Sequence, residues 1–185
     1  MAKSRYTLTL LIISALLFLT KGLSFAQVET VVVTRGDLQP LVGKWSGVMM
    51  SYEYGNDTTQ IRTDVDWKVT ESDSGLVTTI TYWDEGGEAI EAVGLMEASA
   101  GGKRIRMDGK VWMVWAKRET ENGMTLVFQG PGQDNNRNAQ ITNVLYMSHP
   151  DSSRQDSVVL TKKVLYENAG KEVDRHQFRL GRVKE

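Results

Sequence analysis

The sequence of 185 residues contains no cysteine. That excludes disulfide staples, a lipid-modified N-terminal cysteine, thiolate zinc sites, thiol catalysis and thiolate-ligated haem. Histidine is scarce too, with His149 and His176 alone, so a zinc site would have to lean on carboxylates. Asp64 and Asp66 share one strand face, but Arg62 and Lys68 flank them, and cross-strand charge pairing accounts for the group. Neither a Gly-x-Ser-x-Gly elbow nor a phosphate loop is present, and nothing selects a carboxylate pair for acid–base work. The expectation is a binding protein with no catalytic residue and no metal. An excess of charge is also missing: 22 basic residues stand against 23 acidic ones, which leaves no electrostatic footprint for nucleic acid or an anionic membrane.

What is present begins with a leader. Lys3 and Arg5 precede an apolar run from Leu8 to Leu19, broken only by Thr9 and Ser14, and Ser24-Phe25-Ala26 supplies small residues for cleavage. This predicts a signal peptide over residues 1–26 and export to a periplasmic or extracellular location, with no membrane insertion after cleavage. The alternative, a membrane anchor, would need the run to extend through Phe25. Cleavage removes Lys3, Arg5 and Lys21 and no acidic residue, taking the basic count from 22 to 19 against 23 acidic, a net charge near −4. Residues 27–39 read as a linker or short leading strand, and 40–185 as one domain.

Within that domain the dominant period is two. Ile61, Thr63, Val65, Trp67 and Val69 alternate with Gln60, Arg62, Asp64, Asp66 and Lys68, a strand with one face buried. Leu76 to Trp83 and Ala89 to Glu97 follow. Asp108-Gly109 and Asn122-Gly123 mark hairpins. Gly130 to Asn138, rich in Gly, Pro and Asn, reads as a rim loop or lid. Ala139 to Met147, Ser157 to Tyr166 and Val173 to Val183 complete the set. Helical periodicity is unconvincing anywhere after Ala26. Nine or ten short strands joined by tight turns predict an all-β, antiparallel up-and-down barrel of about 8–10 strands, with a two-sheet sandwich as the competitor.

Gly43-Lys44-Trp45-Ser46-Gly47, at the start of the first strand, resembles the opening motif of the lipocalin-like, or calycin, superfamily. The resemblance implies that Trp45 closes one end of the barrel and that a basic residue of the last strand stacks on it. Arg179 and Arg182 are the candidates, with Arg182 preferred, and Gly43, Trp45 and Arg182 form the expected floor. It also implies an internal site for a small apolar or amphipathic molecule.

Trp67, Tyr82, Trp112, Tyr146 and His176 are the expected ligand-binding residues, with Met113 and Thr63 as additional candidates. The alternative is that these side chains simply fill a solid barrel, which would then act through its surface as a partner-binding module. His176, in phase with Phe178 and Leu180, also resembles the ligating histidine of nitrobindin-like haem barrels, which makes haem the alternative cofactor. The sequence does not reveal an oligomeric state.

Overall fold

A computed structural model of the chain describes residues 31–53, 56–83, 86–149, 156–167 and 170–184. The signal-peptide reading of residues 1–26 lies outside them. Ten antiparallel strands close on themselves, each paired with its neighbours in sequence, and the first also pairs with the last. They are β1 (Gly43–Glu53), β2 (Asn56–Glu71), β3 (Leu76–Trp83), β4 (Ala89–Ala98) and β5 (Arg104–Met107). The circle continues through β6 (Lys110–Thr120), β7 (Gly123–Asp134), β8 (Arg137–Ser148), β9 (Ser157–Tyr166) and β10 (Val173–Arg182). Closure leaves no sheet edge to protect.

Before β1 the described part of the leading segment is helical. A one-turn helix α1 (Arg35–Leu38) is capped by Thr34 and Asp37, each side chain hydrogen-bonding the other's backbone N–H, and a 3-10 turn (Gln39–Leu41) follows. Four residues are too few to carry a helical period, so the cap was the only sequence signal. Val33, Leu38 and Leu41 are buried beneath Trp45 as a plug. Lys117 on β6 ties the plug down through a 2.6 Å ion pair to Asp37. Burial works against the Asp37 carboxylate, but hydrogen bonds from Lys117 and Thr34 outweigh it and hold its pKa below the ordinary carboxylate value.

The expected rim loop at Gly130–Asn138 is instead the tip of a long hairpin. β7 runs to Asp134 and β8 starts at Arg137, joined by Asn135 and Asn136 at φ 48° and 59°. Two left-handed asparagines make the tight turn that a twisted hairpin favours. Pro131 is tolerated because β6 pairs with β7 only as far as Gln129.

Cross-strand register sorts the interior into rows. Met147, Val158 and Leu180 form one row near the floor, and Leu145, Leu160, Phe178 and Met49 form the next. On the β5–β7 side, Ile105, Trp112, Leu126 and Phe128 fill the interior. The cavity is lined by residues of β1–β5, the turn after β5 and β8–β10.

Candidate functional site

The floor is the better-bonded end. The Trp45 indole donates to the Leu41 carbonyl at 2.7 Å, and the Arg182 guanidinium lies 4.2 Å over its ring. Arg182 also donates to the Val42 and Pro40 carbonyls at 2.8 Å each and to Asp156 at 2.7 Å. Gly43, at φ 138°, gives that guanidinium room, because a Cβ there would collide with Arg182 Nη1.

Above the floor lies a cavity of about 330 Å³. Met49, Trp67, Ile80, Met96, Leu160 and Phe178 supply most of its apolar wall. Phe178 sits 6.5 Å, centroid to centroid, from both Trp67 and Tyr82. An open cleft of about 630 Å³, lined in part by Ile61, Thr63, Trp83 and Ile90, shares Met49 and Tyr82 with the cavity. Those two side chains therefore stand between the interior and the outside.

The polar groups of the cavity fall on two walls. Asn143, Lys162 and His176 line one, from β8, β9 and β10. Thr78, Tyr82 and Asp108 line the other, from β3 and the turn that follows β5. Asp108 adopts φ 52° in its turn with Gly109, and its carboxylate folds back over Gly94, where a Cβ would collide with Asp108 Oδ1 and lie 2.9 Å from Thr78 Oγ1. Burial raises the Asp108 pKa, with Lys110 acting in the opposite sense. Tyr82 is also raised, by burial and then by the Asp108 charge. His176 is lowered, chiefly by burial and then by the neighbouring Lys162, which favours its neutral form.

A β-bulge in β10 between Asp174 and His176 puts Arg175 and His176 in succession toward the interior. Arg175 reaches a buried cluster in which Asp134 accepts from Tyr166 at 2.6 Å, Lys162 at 2.8 Å and Arg175 at 3.1 Å. Burial opposes the Asp134 charge, but these partners prevail and hold its pKa below the usual value. The cluster anchors Lys162 beside the cavity.

Of the five ligand-binding candidates, Trp67, Tyr82 and His176 come together here. Trp112 does not: it points inward and is buried, but packs against Gly130 as filling. Tyr146 is on the outside, where its hydroxyl donates to the Asn122 carbonyl at 3.0 Å. The buried face of β8 is Ala139, Ile141, Asn143, Leu145 and Met147, and one residue's shift in parity moves Tyr146 out. Met113 is likewise external and exposed, and Thr63 lines the cleft but not the cavity. Sequence reasoning missed Asn143, Lys162 and Asp108. Polar residues in strands read as solvent-facing, and the only available signal was that Asn143 shares a period with Ile141 and Leu145.

No protein-family model and no curated protein matches the sequence.

Proposed function

We propose that this chain is an exported lipocalin-like barrel that takes up a small hydrophobic or amphipathic molecule in its interior and performs no chemistry on it. The observation that carries this reading is the cavity of about 330 Å³ lined from β1–β5 and β8–β10, apolar for the most part and sharing Met49 and Tyr82 with an open cleft. Its size lies at the lower end of small-molecule sites, and the mixture of apolar wall with a few polar groups is what such sites have in common. The stacking of Arg182 on Trp45 supports the lipocalin-like assignment.

Haem is the second reading, favoured by one observation: His176 lines the cavity, and imidazole is a suitable axial ligand. The volume argues against it, because a macrocycle needs more room than a cavity at the low end of the small-molecule range, and Lys162 stands next to the imidazole in register. A carrier also accounts for the cavity better than a solid barrel acting through its surface.

The test is native purification followed by titration with an uncharged apolar fluorescent probe such as N-phenyl-1-naphthylamine. Binding is expected, with loss in Leu160→Trp, which fills the cavity. A probe that binds neither protein, or both equally, overturns the carrier reading. A Soret band in the purified protein that disappears in His176→Ala would move the assignment to haem.

A further inference from the structure

Three polar side chains of the cavity form one row across adjacent strands. Asn143 on β8 pairs with Lys162 on β9, and Lys162 pairs with His176 on β10. The row directly below, Leu145, Leu160 and Phe178, is hydrocarbon. A polar row inside an apolar barrel is costly unless something hydrogen-bonds to it. Asn143 is 4% exposed, and its Nδ2 has no hydrogen-bond partner among the described residues; neither does His176 Nδ1. Lys162 Nζ bonds Asp134 at 2.8 Å, which uses one of the three donors of an ammonium group. The row therefore offers an amide and an ammonium side by side, just above an apolar layer.

We propose, building on the carrier reading, that the Asn143–Lys162–His176 row receives the carboxylate head of a small amphipathic ligand whose hydrocarbon part lies against Met49, Leu160 and Phe178. A carboxylate has lone pairs enough for both donors, and charge-assisted bonds to it are stronger than bonds to a neutral ester or amide. The charged and titratable groups nearby are consistent with this head. Asp134 divides its charge among Lys162, Tyr166 and Arg175, so it does not cancel Lys162 alone. Asp108 and Tyr82 face the row from the opposite wall, and burial favours the neutral form of each.

The experiment compares decanoate, methyl decanoate and decylamine by calorimetry on the full chain at pH 7.5, beside the apolar probe. Decanoate is expected to bind at least about tenfold more tightly than the ester, the size of one charged hydrogen bond. Asn143→Leu and Lys162→Met should each shrink the preference for decanoate over the ester toward unity, with thermal unfolding confirming that both variants fold. Equal affinity for acid and ester overturns the assignment of the head, and preference for decylamine overturns it in favour of Asp108. Either result leaves the carrier reading standing. Binding of the probe with no binding of decanoate also sinks the carboxylate proposal alone, whereas failure of the probe and all three ligands removes both.

Discussion

Trp45 and Trp67 are partners in register on β1 and β2, yet their indole nitrogens end differently. Trp45 donates to Leu41 and carries Arg182 on its face, whereas Trp67 Nε1 is buried with no hydrogen-bond partner among the described residues. The same contrast separates the two ends of the interior. At the floor, Arg182 bonds two carbonyls and a carboxylate. In the cavity, Asn143 Nδ2, His176 Nδ1 and Trp67 Nε1 have no such partners among the described residues. Native interiors satisfy nearly all buried polar atoms, and three of the four exceptions among the described residues line this cavity, the fourth being Trp112 Nε1 in the packed core. One end of the barrel is closely bonded, and the other holds the cavity on which the proposed carrier function rests.

The largest expected effect tests the floor. Trp45→Ala removes a fully packed indole together with the surface on which Arg182 stacks, and should cost about 3–5 kcal/mol in urea unfolding. A loss below about 1 kcal/mol would mean that the floor does not carry the fold. Next comes Asp134→Ala, which leaves the buried Arg175 without one of its partners and should cost on the order of 3 kcal/mol. The contribution of Asp134 also has a pH signature. Its folded pKa is depressed, so the stabilisation is complete above the unfolded value of about 3.9 and is lost as pH falls through the folded pKa. Unfolding curves of the wild type and Asp134→Asn should therefore lie far apart at neutral pH and converge in acid.

In the cavity the sign should reverse. Asn143→Leu removes a buried amide nitrogen that lacks a partner, and should stabilise the unliganded protein by about 1 kcal/mol, a rise of roughly 2–4 °C in melting temperature. A destabilised variant would show that the amide has a structural duty, and the contrast between the two ends would fail.

The strands were legible because period two persists through Ile61–Val69, and the floor was legible because Gly-x-Trp and a terminal arginine are local signals. α1 was not, since a single turn has no period. The hairpin tip at Asn135-Asn136 was hidden by Gly130, Pro131 and Gly132, which ordinarily break strands. The site was half legible for a related reason. Aromatic residues announce an interior, so Trp67 and Tyr82 were found, but Trp112 and Tyr146 send the same signal from a packed core and an outer face. Asn143, Lys162 and Asp108 have the composition of a surface, and only cross-strand register and a left-handed turn reveal that they line the interior.

The smallest effect expected is the most direct probe of the polar row. Burial, reinforced by Lys162, lowers the His176 pKa, so below the unfolded value of about 6.5 the unfolded chain takes up a proton that the folded barrel refuses. Stability contributed by neutral His176 is thus fully present above that value and declines as pH falls toward the lowered folded pKa. Urea midpoints of the wild type and His176→Gln at pH 7.5, 6.5 and 5.5 should show the gap shifting against the wild type as acid is added. Asp108 and Asp134 titrate in both proteins and cancel in the difference. A carboxylate seated on the row would favour the imidazolium, raise the His176 pKa and flatten the slope, so decanoate should reduce the pH dependence of the wild type and leave His176→Gln unchanged. An identical slope in the two proteins without ligand would mean that His176 is solvated, and the polar row would then lose one of its three members.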